Sequence, residues 1–359
     1  MKNLPVNIID KIRAYEKQSD MARMTGVDDG EEETVLDLSV KPGMNQGWIG
    51  NTDLAAGTKD RYSGKVMINH FRNKNQLTAI GSVNNVNDNA FPGGGGGFRK
   101  GGNGLTAVKM AGVNFATETE KLKTEGSVNF NYKDADIVSK QASETFVSSE
   151  SSSFKNALDH SRNKTTKLVA DAFIEWKPDT MTTFVFRPRF SYGKTDNTNG
   201  QNSYTFSQDP GYTTDELFGT DDLTSLVSEE DIINTVLKNT LKKGDDLTVG
   251  GSVLVNRRLG KLGRNITFRG KYNYTNSSSE QFSTSETEYF QKTPEERMEI
   301  LNRYITTPTK SYDYSARLTY SEPIFTGDFC SSATISSINT LPQIILHSIW
   351  VTTGRLVTE

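Results

Sequence analysis

Apolar and polar positions alternate with a period of two along most of the chain, the spacing of strands that present different chemistry on their two faces. From Leu122 the even positions read Leu122, Thr124, Gly126, Val128, Phe130 and Tyr132, and the odd ones Lys123, Glu125, Ser127, Asn129, Asn131 and Lys133. Phe184, Phe186, Pro188, Phe190 and Tyr192 share one face while Thr183, Arg187, Arg189 and Ser191 take the other. The pattern returns as Ile266, Phe268, Gly270, Tyr272 and Tyr274 against Thr267, Arg269, Lys271 and Asn273, then as Tyr312, Tyr314, Ala316, Leu318 and Tyr320 against Asp313, Ser315, Arg317 and Thr319. Weaker versions cover Trp48–Thr58, Val66–Arg72, Gln76–Asn85, Thr106–Thr117, Lys167–Lys177 and Thr248–Asn256. The count is about ten strands, many near the roughly 9–11 residues of a tilted membrane-crossing strand.

A sandwich in water alternates too, so the composition of the faces decides. The polar face carries Lys, Arg, Glu and Asn along its whole length, and Tyr132, Tyr192, Tyr274 and Tyr320 sit at or near the strand ends. In a transmembrane barrel the apolar face meets lipid, the polar face lines the lumen and aromatics ring both interfaces. The connections agree. Short links are expected near Lys59–Arg61, Asn73–Asn75, Glu118–Glu120, Pro178–Met181 and Gly260–Arg264, and long polar loops over Val86–Asn103, Ala135–Lys164, Gly193–Asp246 and Asn276–Lys310. Several loops above about 15 residues are uncommon in an ordinary domain. Barrels of this kind have them at one end only, because antiparallel strands return every second connection to the same edge. The expected fold is all-β: a partial antiparallel transmembrane β-barrel of about 10–11 strands with long extracellular loops.

Composition narrows the function classes. With 41 Lys+Arg against 44 Asp+Glu the chain has no charge excess to attract nucleic acid. Its mean hydropathy is −0.57, yet it holds 13 Tyr and 18 Phe, as one-sided apolar strands require. The longest apolar stretch, Leu341–Val351, is broken by Pro342, Gln343, His347 and Ser348 and falls short of the roughly 20 residues of a membrane helix. Cys330 is the single cysteine, so no internal disulfide framework exists. Met1–Asn7 has neither an apolar core segment nor a small-residue cleavage site, and reads as lacking a signal peptide.

With strands and links in place, the chain resembles the TonB-dependent receptor type of outer-membrane protein, in the subgroup called the outer-membrane β-barrel family. Leu4-Pro5-Val6-Asn7-Ile8-Ile9-Asp10-Lys11-Ile12 is similar to a plug-domain segment. Thr25-Gly26-Val27-Asp28-Asp29-Gly30 follows, and Thr34–Lys41 is similar to the strand that closes the plug. Gly47-Trp48-Ile49-Gly50-Asn51 resembles the first barrel strand and Asp60-Arg61-Tyr62 the first hairpin. Trp176-Lys177-Pro178-Asp179 and Arg187–Tyr192 resemble the recurrent periplasmic turn and the strand after it, and Tyr320–Ile324 a later strand end. The resemblance covers about residues 1–329 and implies about half of a barrel of roughly 22 strands. It divides the chain into the C-terminal part of a plug (1–42), barrel strands (43–329) and an atypical tail (330–359), expected to lie outside the barrel and to arise from a frameshift or misassembled end. The implied function is uptake of a solute across the outer membrane, with outer-membrane lipid and the TonB system as partners and a surface lipoprotein as a further one. On this resemblance the box that binds TonB is expected to be missing from these 359 residues. The rival reading is a surface or adhesion protein whose barrel only anchors its loops, or a non-functional gene fragment.

Few residues suggest chemistry. Phe91–Gly104 is glycine-rich but has no Lys-Ser/Thr at a helix start, so it reads as a loop and not a phosphate cradle. Asp28–Glu33 lacks the alternate-position spacing of a calcium loop. His70, His160 and His347 have no companions at ligand spacing, and no Gly-x-Ser-x-Gly elbow occurs. No enzymatic activity, cofactor or metal is expected. Pro294–Leu301 is predicted to form a short helix capped by Thr293. Arg187, Arg189, Arg269, Lys271 and Arg317 point inward on this pattern. They are candidate contacts for an anionic solute, against a plainer role in plug docking and lumen hydration.

Overall fold

A computed structural model describes residues 9–19, 22–23, 32–41, 43, 46–88, 104–148, 151–260, 264–325, 328–339 and 343–355. Strands β1 (Ile9–Gln18) and β2 (Glu32–Val40) pair antiparallel as a separate two-stranded sheet. The rest is one 13-stranded antiparallel sheet. Its strands are β3 (Gln46–Ala56), β4 (Tyr62–Arg72), β5 (Asn75–Asn84), β6 (Leu105–Glu118), β7 (Leu122–Ser148), β8 (Ser151–Trp176), β9 (Thr182–Phe206), β10 (Ile232–Arg258), β11 (Asn265–Tyr289), β12 (Met298–Thr306), β13 (Thr309–Phe325), β14 (Asp328–Asn339) and β15 (Gln343–Arg355). Each pairs with its sequence neighbour, except that β13 continues the sheet from the first half of β11 and β12 pairs with the second half. Among the described residues β3 and β15 are free edges and the sheet is not closed.

Pairing brings the alternating segments into line. Tyr192 lies opposite Leu247, Val249 opposite Tyr274, and Tyr274 opposite Tyr312. The apolar residues Phe184–Tyr192, Leu247–Val255, Ile266–Tyr274 and Tyr312–Tyr320 thereby form one continuous band. The tyrosines mark the border of this band and not the strand ends. Strands β7 to β11 are 25 to 27 residues long and run well past it.

This corrects the expected loops. Ala135–Lys164 is mostly the outer half of the β7–β8 hairpin, Gly193–Asp246 holds the outer halves of β9 and β10, and Asn276–Lys310 holds the β11–β12 hairpin. The outer halves are rich in Ser, Thr, Asn and Lys on both faces, so their ladders form without the hydrophobic alternation that identifies a strand in sequence. Pro294–Leu301 is likewise no helix. A single turn closes with the Glu296 N–H donating to the Thr293 carbonyl (3.0 Å), and from Met298 the chain pairs with β11, where ladder bonds outweigh a weak helix preference. The long connections all lie at one end of the sheet, as antiparallel order demands. The tail from Cys330 is expected to stand outside the array. Its backbone instead supplies most of β14 and β15: β-branched Thr334, Ile335 and Ile338 suit a ladder, and the edge of β13 offers the partner.

Two connections are built by identifiable chemistry. Residues 207–231 carry a helix, α1 (Thr214–Gly219), opened by a capping box between Thr213 and Glu216. Leu217 and Val227 pack with Phe206 and Ile232 into a small core beyond the apolar band. At the other end, Asp179 accepts the N–H groups of Met181 and Thr182 (both 2.7 Å) and the Thr182 hydroxyl (3.1 Å). These bonds, the Met181 N–H foremost, hold the Asp179 carboxyl below its ordinary pKa. A depressed carboxyl stabilises the fold above its unfolded-state pKa and loses that contribution as pH falls through the folded value. The β8–β9 turn is therefore expected to loosen below about pH 4, the ordinary Asp range. Hydrogen exchange of the Met181 and Thr182 amides should accelerate there relative to neighbouring turns, and Asp179→Asn should abolish the pH dependence.

Candidate functional site on the polar face

The two faces of the sheet invert the usual order of a protein in water. The apolar band is exposed: Val66, Ile68, Val113, Phe115, Val128, Phe186, Phe268, Tyr314 and Leu318 all present open surface. The opposite face holds the buried polar groups Asn69, Thr78, Ser82, Asn84, Asn256, Thr267, Thr319 and Ser321. Exposed apolar surface of this extent marks an interaction with another apolar phase or partner. Lys109, on the band's border, is drawn over the Tyr132 ring at 5.6 Å, which keeps its ammonium away from the centre of the strip.

The polar face is concave. A cavity of about 910 Å³ touches residues of β5 to β11 and β13, most of them on the polar face. Register builds its wall from two adjacent rows. One runs Gln76, Ala116, Glu125, Phe173, Arg187, Ser252, Lys271 and Ser315, and the next Asn114, Ser127, Asp171, Arg189, Gly250, Asn273 and Asp313. Glu125 is held by Lys123 (2.8 Å) and Asp171 accepts the Ser127 hydroxyl (2.8 Å). The Arg187 guanidinium lies over the Phe173 ring at 4.8 Å.

Of the five basic residues singled out in the sequence, Arg187, Arg189 and Lys271 line this cavity. Arg269 and Arg317 do not. They stand directly opposite each other one step nearer the short links, beside the buried pair Val185 and Leu254. Sequence reasoning missed Asp171, Asn273, Asp313 and Gly250 as wall residues. Period two placed them on the polar face, but their gathering depends on register between strands far apart in the chain.

A second feature of this face was not legible at all. Glu175, 4% exposed, accepts from Arg23 (2.9 Å) and pairs with Lys177 (2.7 Å). Ala22 beside Arg23 is 2% exposed, so the N-terminal segment reaches the inner wall at the short-link end. The remaining motifs place as follows. His160 pairs with Asp136 (2.7 Å) and the His70 ring lies tilted against Trp48, centroids 4.4 Å apart. Phe91–Gly102, Asp28–Glu31 and the side chain of His347 lie outside the described residues. Among the described residues no group of three or more His, Cys, Asp or Glu is placed to hold a metal ion, and no helix is long and apolar enough to cross a membrane. What the fold and site define is an open antiparallel β-sheet with an apolar face and a polar face that carries both cations and acids. Comparison with protein-family models, curated proteins and solved structures finds no match.

Proposed function

We propose that the chain is part of an outer-membrane β-barrel of the TonB-dependent receptor type, whose parent passes a solute across the outer membrane with energy from the TonB system. The observation that carries this is the inversion of the faces. Four neighbouring strands each turn a nine-residue apolar run to that face, exposed on three of them and half-buried on β10, and eight steps of roughly 3.4 Å make about 27 Å along the strand. At a tilt of roughly 35–45° that stands about 20 Å tall, near the 25 Å apolar band of such barrels. On this reading the short links face the periplasm, and the outer hairpins with the α1 cluster stand outside. Residues 9–41 are the end of a plug, for which the Arg23–Glu175 contact on the inner wall is the supporting geometry. The reading as a surface or adhesion protein takes its support from the tall outer hairpins, but it leaves that inward contact without a role.

The test uses the chain refolded into lipid vesicles on a Cys330→Ser background, with a fluorophore on Phe186→Cys or Arg187→Cys. Position 186 should be quenched by a lipid-soluble quencher and 187 by a water-soluble one. Equal access of the water-soluble quencher to both positions sinks the membrane assignment.

A further inference from the structure

The geometry points to an anion-binding site on the inner wall, in which Arg189 and Lys271 grip a carboxylate- or phosphate-bearing solute over the bare floor of β10. The inference rests on the reading of this face as a lumen and adds the chemical class of what the lumen takes. Arg189 on β9 and Lys271 on β11 line the same cavity from either side of β10. Between them β10 turns Gly250 and Ser252 to this face, so no bulky side chain divides the two cations. Two strand spacings and a two-residue step along the strand separate their backbones, roughly 12 Å, and both side chains are long enough to lean over the strand between. Asn273 is no part of the grip: its Oδ1 lies against Gly250 and its side-chain N–H donates to the Thr275 hydroxyl (3.4 Å).

Two of the three acids of the cavity are engaged elsewhere. Glu125 is engaged by Lys123, and Asp171, although opposite Arg189 in register, is turned to the Ser127 hydroxyl. Asp313 faces Asn273 on the far strand. Among the described residues neither Arg189 nor Lys271 has an ion-pair partner. Arg269 and Arg317, one step below, raise the positive potential without entering the cavity. Cations held in a curved wall attract and orient anions more strongly than the same charges on a flat surface. Arg suits a planar carboxylate or phosphate edge, and Lys acts as a point charge beside it.

The experiment measures calorimetric binding of citrate, of inorganic phosphate and of neutral maltotriose to the full chain refolded in detergent micelles, at low and high salt. At least one anion is expected to bind, more weakly at high salt, while maltotriose does not; which anion binds separates carboxylate from phosphate recognition. Arg189→Gln and Lys271→Gln should each weaken that binding by about tenfold or more, the value of one charge-assisted hydrogen bond. Arg189→Lys should retain most of it and guards against loss of fold. Lys140→Gln, a cation paired with Asp215 in the outer hairpin region, should change nothing. Binding of neither anion, equal binding of maltotriose, or Gln variants that bind like the wild type overturns the proposal. If the same preparation still inserts into vesicles with position 186 in lipid, the anion site fails and the barrel reading stands.

Discussion

Phe186→Arg is expected to destabilise the chain in a bilayer by about 2–4 kcal/mol, the cost of a basic side chain near the midplane of a lipid-facing strand. Phe186 sits in the middle of the band on β9, opposite Ile174 on β8 and Val253 on β10, and is 38% exposed. Were that surface wet, the same substitution would fall within about 0.5 kcal/mol, as exposed positions usually do. Thr198→Arg supplies the comparison. Thr198 is an exposed residue on the same strand and face, beyond the apolar band in the outer half of β9. Urea unfolding of the vesicle-inserted chain should show the large loss at 186 and nearly none at 198. Equal effects at the two positions contradict a lipid-facing band.

The strands of the band were legible because period two is a local property. Phe184–Tyr192 declares its faces without knowledge of any partner. The outer halves of β7 to β11 hide from that signal. In a stretch such as Lys194-Thr195-Asp196-Asn197-Thr198-Asn199 neither face is apolar, and what makes it a strand is the ladder to Thr166–Ser161 and to Asp245–Thr240. The β12 segment misleads in the opposite sense. Thr293-Pro294-Glu295-Glu296 carries a helix-start signature, but the strand partner already in place on β11 takes Met298–Thr306 into a hairpin.

The candidate site divides along the same line. That Arg187, Arg189 and Lys271 share a face follows from the sequence. That they share a cavity with Asp171 and Asp313, while Arg269 and Arg317 stand outside it, follows only from the stagger between strands, which one sequence does not state. The Arg23–Glu175 contact joins residues 152 apart through side chains alone. Arginine at 23 has no periodic context, so nothing in the sequence nominates it.

The close pairing at the centre of the sheet gives the second large effect: Gly251→Val is expected to cost about 1–3 kcal/mol or more, the penalty of overpacking a site that cannot relax. Gly251 lies opposite Pro188, a proline in an interior strand where a ladder N–H is missing. The β8–β9 pairing breaks there: the register runs from Asp171–Arg189 to Ile174–Phe186, omitting Ala172–Pro188 and Phe173–Arg187. The β9–β10 pairing continues without a gap, and β10 approaches so closely that a Cβ on Gly251 would sit 2.5 Å from the Arg187 carbonyl oxygen and 3.1 Å from the Pro188 Cα. Both obstacles are backbone, so β9 and β10 would have to separate to admit any side chain. Gly50 makes the control, because it also faces outward in a strand but its Cβ would meet nothing nearer than the Met67 carbonyl oxygen at 3.7 Å. Gly50→Val should be neutral or slightly stabilising, since valine suits a strand better than glycine. Unfolding midpoints of the two variants in the same lipid decide the matter. A Gly251→Val chain as stable as the Gly50→Val chain would show that the β9–β10 approach is not what the glycine is there to allow.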